Sequence, residues 1–140
     1  MPEANNAELT ELYASETGGV VQSDQPNADG PAATYEVHVQ GVAGFPLGSS
    51  GASYTLRIDC IDQNDSLRNA SLSVAPQPQS FDASVPWVQV GGDFKTDQTF
   101  LINVPAGVEG HLFRYVATLM SDNGDITSWL ESDPFILRDP

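Results

Sequence analysis

The sequence is poor in basic residues. Nineteen Asp and Glu residues stand against five Lys and Arg residues, which gives a formal net charge of -14. A nucleic-acid surface needs clustered Lys and Arg to release counterions from phosphates, and anionic membranes attract the same residues. The sequence therefore argues against nucleic acid and membranes as partners. We interpret the acidity as a means of keeping the domain soluble, with a saline source, a basic partner or cation binding as alternatives.

Cysteine is almost absent. Cys60 is the only one, so no intrachain disulfide can form. Because it alternates with the apolar residues Tyr54, Leu56 and Ile58, we interpret Cys60 as a small core residue and not as a nucleophile or a ligand. A structural zinc site needs clustered Cys and His, and one cysteine with two scattered histidines does not supply it.

Long apolar runs and catalytic motifs are also missing. No run approaches the roughly 20 apolar residues of a membrane-spanning helix, and residues 1–6 lack the basic and apolar regions of a signal peptide. The histidines are His38 and His111, and no Gly-x-Ser-x-Gly motif accompanies them. We therefore predict a protein that is not an enzyme and does not insert into membranes. An extracellular or virion-surface location is favoured over others, while the compartment itself is left open.

Residues 1–33 differ in composition from the rest of the chain. They hold six acidic residues and no base, interrupted by Gly and Pro. Leu9, Leu12 and Tyr13 are spaced i, i+3, i+4, which predicts a short helix. We predict an irregular acidic arm over 1–33, ordered by contact with its own domain or with a neighbouring copy, and a second unit over 34–140.

From residue 34 the apolar pattern has a period of two, which is typical of half-buried strands. Strands are predicted over residues 34–40, 53–59, 71–74, 87–90, 99–104, 111–121 and 135–137. Pro76 and Pro78 end the third strand and favour an edge position, and Asn123-Gly124 predicts a hairpin turn. The residues expected to be buried are Tyr35, Val37, Val39, Leu56, Ile58, Ile102, Tyr115, Ala117 and Leu119. His38 falls on the polar face of its strand, where we expect a surface side chain.

The C-terminal third resembles a known domain family. A strand that ends in Val104-Pro105-Ala106-Gly107 is followed by the tyrosine-bearing stretch 113–118, the Asn123-Gly124 turn and the apolar stretch 135–137. This order is similar to the end of fibronectin type III and immunoglobulin-like domains. The resemblance implies an all-β antiparallel sandwich of about seven strands. The family's early-strand tryptophan is missing here, and the resemblance carries no functional residue across.

One turn could bind calcium, because it is rich in hard oxygen ligands. Asp62, Asn64 and Asp65 follow the second predicted strand, and a similar group lies at 122–125. Leu67 stands where an EF-hand requires glycine, so neither turn is an EF-hand. The same residue types cap the backbone of tight turns, and we favour that interpretation, so no cofactor is predicted and calcium is the alternative.

Exposed apolar side chains are the candidate contacts for partners. They are Leu9, Leu12 and Tyr13 in the arm, Phe45 and Leu47 in a Gly/Ser loop, and Trp129. Trp87 lies in an apolar run and is expected in the core, whereas Trp129 could form a platform for a sugar ring.

The predicted function is a non-enzymatic structural or interaction module. It would serve as an accessory component of a larger assembly of envelope, filament or virion type, by binding a protein partner or by self-association through the arm. The alternative is a carbohydrate-binding module.

Overall fold

The computed structural model describes residues 7–18, 22–23, 26, 34–44, 50–81, 86–105, 108, 110–121 and 126–137, apart from the side chains of 126 and 127. This part of the chain contains nine strands and no helix. The strands are β1 (Ala7–Glu16), β2 (Thr34–Gly44), β3 (Ser53–Asp62), β4 (Leu67–Ser80), β5 (Trp87–Val90), β6 (Asp93–Asn103), β7 (Leu112–Ser121), β8 (Ile126–Glu131) and β9 (Phe135–Ile136). The predicted all-β class is confirmed.

The strands form two antiparallel sheets. Sheet 1 has the order β1-β2-β6-β5, and sheet 2 has the order β4-β3-β7-β8, with β9 paired to β7. The inner faces of the two sheets share one buried apolar cluster. The predicted antiparallel sandwich is therefore confirmed, with β1 and β8 as strands that the sequence did not predict.

The core is formed by the residues that the period-two apolar pattern predicted to be buried. Every residue predicted to be buried is at most 5% exposed. The hydroxyls of Tyr35 and Tyr115 lie 2.6 Å apart, and the Tyr115 hydroxyl donates to the Leu72 carbonyl at 2.8 Å. Burial raises the pKa of both tyrosines. Cys60 is fully buried, as predicted, and burial raises the pKa of its thiol to about 12.

The predicted helix around Leu9, Leu12 and Tyr13 is wrong. Ala7–Glu16 is a strand that pairs with β2, and the register shifts between Leu9 and Glu11. A bulge inserts one extra residue into a strand, so that side chains three positions apart, and not two, lie on the same face of the sheet. Leu9 and Leu12 therefore both point into the sandwich while keeping the spacing that also suits a helix.

The interior tryptophan comes from β5. Trp87 is fully buried, as predicted, and its Nε1 donates to the Tyr54 hydroxyl of β3 at 2.6 Å. The ring of Phe81 lies 5.2 Å from the Trp87 ring. A tryptophan of sheet 1 therefore fills the core beside β3 of sheet 2.

His38 lies on the predicted face of its strand, but the prediction that its side chain is exposed is wrong. His38 points to the outer side of sheet 1, yet it is only 6% exposed. The Tyr13 ring stacks on it at 4.7 Å with an interplanar angle of 12°. A neighbouring strand thus covers a polar side chain on the outer face.

The proline-rich strand end was also mispredicted. β4 continues through Pro76 and Pro78 to Ser80. It is an edge strand of sheet 2, as predicted, and an edge tolerates prolines because one side of the strand needs no N–H donors. The predicted Asn123-Gly124 turn lies outside the described residues, between the paired strands β7 and β8.

Candidate functional site: the open edge of sheet 1

In the turn proposed for calcium, the carboxylate oxygens accept hydrogen bonds from backbone N–H groups of the same turn. Asp62 Oδ1 accepts the Asn64 N–H at 2.9 Å, and Asp65 Oδ1 accepts the Leu67 N–H at 2.9 Å. Asp62 Oδ2 lies 3.2 Å from His111 Nδ1. The Asn64 N–H, and to a lesser extent His111, lower the pKa of Asp62. Among the described residues, no group of three or more His, Cys, Asp or Glu side chains is placed to hold a metal ion.

The apolar residues of the arm pack on their own domain. Leu9 and Leu12 belong to the core, at 7% and 6% exposure. Tyr13 lies on the outer face against His38, where partial burial and then the charges of Asp97 and Glu11 raise its pKa. Phe45 and Leu47, the other predicted contacts, lie outside the described residues.

The outer face of sheet 1 holds a serine–histidine pair that the sequence did not reveal. Ser15 Oγ lies 2.7 Å from His38 Nε2, and Thr99 Oγ1 lies 3.1 Å from His38 Nδ1. In a catalytic triad a carboxylate contacts the second ring nitrogen, but here Glu36 lies 3.7 Å from the same nitrogen as the serine. Ser15 is fully buried, so its hydroxyl is out of reach of a substrate. The pair connects β1 to β2 and β6.

Trp129 lies on the outer face of sheet 2 and is 58% exposed. It is opposite Thr118 of β7, which is opposite Arg57 of β3. Two further arginines, Arg68 and Arg114, are aligned in a parallel row of the same face. This face therefore carries three of the five basic residues of the chain.

The arginines of this face are paired with two carboxylates. Arg57 and Arg68 approach Asp59 at 3.6 and 2.7 Å, and Arg114 contacts Glu131. No aromatic ring contact of Trp129 is found within the described part of the chain. The face thus presents one aromatic ring beside partly neutralised guanidinium groups.

Sheet 1 has an open edge along β6. β2 pairs with β6 along all of 93–103, whereas β5 pairs only with 93–96. Among the strands that the structure describes, none pairs with the other side of 97–103. We call this stretch the open edge.

Backbone hydrogen bonds elsewhere in sheet 1 show which groups point to the open edge. The Ala14 carbonyl accepts the Ser23 N–H at 2.8 Å, so Ala14 faces away from its partner Val37 in β2. Because bonding directions alternate in an antiparallel ladder, Val37 bonds to β6, where its partner is Phe100. Thr99, one residue before Phe100, then faces the open edge, as do the other odd-numbered residues of 97–103.

A groove of about 670 Å³ runs beside the open edge. Pro86 and Val88 of the β5 side, Phe100 of β6 and Gln79 of β4 contribute to its lining. The groove therefore lies where the edges of the two sheets separate, and its walls are mainly apolar.

Hydrogen bonds tie the floor of the groove to the core. Trp87 Nε1 donates to the Tyr54 hydroxyl at 2.6 Å, and this hydroxyl donates to Gln79 Oε1 at 2.6 Å. Gln79 and Gln98 exchange two amide hydrogen bonds of 2.7 and 3.2 Å across the gap between the sheets. Gln98 Nε2 also donates to Thr96 Oγ1 at 3.0 Å. The groove is therefore held in shape by both sheets.

Exposed apolar side chains surround the open edge. Leu101 is 56% exposed, Val88 55% and Val90 49%. This surface was not predicted from the sequence, because the apolar pattern of residues 87–103 does not show that β5 ends before β6 does. The Gly91-Gly92 turn between two apolar strands was the available signal, since it announces a hairpin whose arms need not be equally long.

Comparisons with known proteins identify no family. No protein-family model matches the sequence, and no curated protein is significantly similar to it. Among solved structures, Spo0M, a sporulation control protein from Bacillus subtilis, is similar with a TM-score of 0.45 and 12% identity, over 95% of this chain and 49% of that one. The chain thus spans about half the length of Spo0M. Within the described residues, no helix is long and apolar enough to cross a membrane.

Proposed function

We propose that this chain is a non-enzymatic interaction module that docks a strand of a partner protein on the open edge of β6. It would act as an accessory component of a larger assembly of envelope, filament or virion type, at an extracellular or virion surface. The observation that carries the proposal is the open edge itself. Exposed strand edges are sites where another chain adds a strand through main-chain hydrogen bonds.

The strand order supports an immunoglobulin-like or fibronectin type III-like assignment of the sandwich. The orders β1-β2-β6-β5 and β4-β3-β7-β8 correspond to the A-B-E-D and C′-C-F-G orders of such domains. Domains of this architecture occur widely on surfaces, and fold alone does not specify a partner. The site, and not the fold, therefore carries the functional proposal.

The groove and its rim distinguish this edge from a protected one. Natural edge strands are commonly shielded by prolines, bulges or charge. β4 carries Pro76 and Pro78, and β1 carries a bulge. The open edge has neither a proline nor a bulge, and Asp97 at its end is its one charged residue. Apolar side chains lie beside it, which favours occupancy by a partner strand.

Selection of random heptapeptides, displayed on phage, against the immobilised protein tests the proposal. Leu101→Pro removes an N–H that points to the open edge and leaves the β2–β6 bonds in place, whereas Leu101→Thr keeps that N–H. We expect selected peptides to bind the wild type and Leu101→Thr, and to lose at least tenfold in affinity for Leu101→Pro. Failure to enrich any peptide, or equal binding to all three proteins, would contradict docking at this edge.

A second candidate function is carbohydrate binding on the outer face of sheet 2. The exposure of Trp129 and the nearby Arg57 favour it, because an aromatic ring covers the apolar face of a sugar and arginine pairs with carboxylates. The ligand would be an acidic saccharide. We expect polygalacturonate, but not dextran, to quench or shift the fluorescence of Trp129, and Trp129→Phe to retain more affinity than Trp129→Ala. Equal responses to both polymers would refute the idea.

A further inference from the structure

We infer that the occupant of the open edge is an extended segment of a different protein, paired antiparallel to β6, with a basic residue opposite Asp97 and an apolar residue opposite Leu101. This inference rests on the proposed function, because it specifies the partner of the same edge. Three features of the edge support it: the direction of the backbone groups, the side chains that the guest strand would meet, and the charge around Asp97.

The backbone fixes the hydrogen-bonding positions of the guest. Thr99 and Leu101 point their N–H and C=O groups to the open edge, so guest residues opposite them exchange two hydrogen bonds each. The guest residue opposite Phe100 points its N–H away from β6. All strand pairs described in this sandwich are antiparallel, and an antiparallel guest extends sheet 1 end to end with β5, which runs antiparallel to β6.

The side chains of β6 fix the chemistry of the guest. On the outer face, the guest meets Asp97, Thr99 and Leu101, and the 56% exposure of Leu101 favours an apolar partner directly opposite. On the inner face, the guest residue opposite Phe100 enters the groove, whose walls include Pro86 and Phe100. That position therefore also favours an apolar side chain.

The charge around Asp97 favours a cation. Asp97 ends an outer-face row in which Glu11 is opposite Gln40 and Gln40 is opposite Asp97. Lys95 lies two residues before Asp97 on the same face of β6 and lines the same groove. No ion pair of Asp97 is found within the described part of the chain. Its charge and that of Glu11 are strong enough at Tyr13 to contribute to the raised pKa of that hydroxyl. A Lys or Arg opposite Asp97 would compensate this carboxylate.

A second copy that paired through its own β6 would not supply that cation. Two open edges paired about a twofold axis at Phe100 place Asn103 opposite Asp97. Bringing Lys95 opposite Asp97 would require an axis at Thr96, where β6 is already paired with Trp87 of β5. Each copy also carries a net charge of -14, which opposes association. The register and the net charge therefore favour a different, basic segment over a second copy paired through β6.

Three synthetic heptapeptides, labelled with fluorescein, test the inference by fluorescence anisotropy. Their common sequence is Thr-Val-Ile-Val-Thr-Thr-X, aligned so that Ile lies opposite Leu101 and X opposite Asp97, and X is Arg, its neutral isostere citrulline, or Glu. We expect the Arg peptide to bind most tightly and the Glu peptide to bind roughly 2- to 30-fold more weakly, because opposite and like charges across a strand pair each change affinity by a modest amount.

Two protein variants separate the local charge from the net charge. Asp97→Lys should reverse the order, so that the Glu peptide binds more tightly than the Arg peptide. Asp133→Lys, which changes the net charge by the same amount beside the β1–β8 side of the sandwich, should leave the order unchanged. If Asp133→Lys reverses the order too, or if the three peptides bind the wild type equally, the basic partner is refuted.

Backbone methylation distinguishes this failure from failure of the proposed function. An N-methyl group on the guest residue opposite Thr99 removes a hydrogen bond to the edge and should weaken binding at least tenfold. The same group on the residue opposite Phe100 should change binding by less than about threefold. If methylation shows this pattern but charge has no effect, the edge docks strands and only the basic partner is wrong. If no peptide binds, or methylation acts equally at both positions, docking and the inference both fail.

Discussion

The hydrogen bond between Trp87 and Tyr54 provides a direct test of how the groove floor supports the fold. The indole Nε1 donates to the Tyr54 hydroxyl at 2.6 Å, and the two side chains are 0% and 2% exposed. Tyr54→Phe removes the acceptor and leaves a buried N–H without a partner. Such a donor costs about 1–3 kcal/mol, a large share of the roughly 5–15 kcal/mol by which domains are stable. We expect the free energy of unfolding to fall by at least that amount, because the substitution also removes the hydrogen bond to Gln79.

A double-mutant cycle isolates this interaction from the packing around it. Trp87→Phe removes the donor as well as ring volume, so in that background Tyr54→Phe leaves no indole N–H unpaired. It still removes the Tyr54 bond to Gln79, a loss common to both backgrounds. We therefore expect a coupling energy between the two substitutions of about 1–2 kcal/mol.

Urea unfolding followed by far-ultraviolet circular dichroism measures all four proteins, because this signal does not depend on Trp87. Equal m-values would show that the extent of unfolding is unchanged. A coupling energy below about 0.3 kcal/mol would refute the reasoning, since substitutions at sites that do not interact are additive within about that margin. The hydrogen bonds that link Trp87 through Tyr54 to the groove would then not contribute cooperatively to stability.

Four further results are expected. Ile58→Ala should lower the free energy of unfolding by roughly 2–5 kcal/mol in urea, because Ile58 is fully buried; a loss below 1 kcal/mol would contradict its place in the core. Cys60 should react with a thiol reagent only in denaturant, since it is buried with a pKa near 12; rapid labelling of the native protein would contradict this. If the turn at Asp62 binds calcium, millimolar calcium should raise the Tm more than sodium chloride of equal ionic strength, whereas equal shifts would reduce the effect to charge screening. The folded-state pKa of Asp62 lies below its usual value of 3.8. The ionised carboxylate therefore contributes its full stabilisation above pH 3.8, and this stabilisation is lost as the pH falls through the folded-state pKa. Asp62→Ala should destabilise the protein at pH 6 and approach the stability of the wild type in acid, as measured by urea unfolding at each pH.

The sequence by itself determined the class of the fold and the inner face of its main strands. Val37 and Ile58 are buried because residues two apart share one side of a strand, and this pattern is local. The turn at Asp62 was also readable in part, since Asp and Asn cap the backbone two residues onward whatever the rest of the chain does.

The positions and ends of some strands depend on contacts with other strands and not on the local sequence alone. The spacing of Leu9 and Leu12 suits both a helix and a bulged strand, and only pairing with β2 selects the strand. β6 begins at Asp93, ahead of its predicted start, because Thr96 and Gln98 point inward near the groove and interrupt the apolar alternation. A polar residue at a sheet margin can bond to the opposite sheet, as Gln98 does to Gln79.

Only the tertiary structure decided the surroundings of the functional surface. His38 is buried because Tyr13, from a strand distant in sequence, stacks on it. The open edge exists because β5 pairs with four residues of β6 while β2 pairs with eleven. These properties depend on which strands become neighbours and how far each extends, and such contacts between distant segments leave no period in the sequence of any one strand.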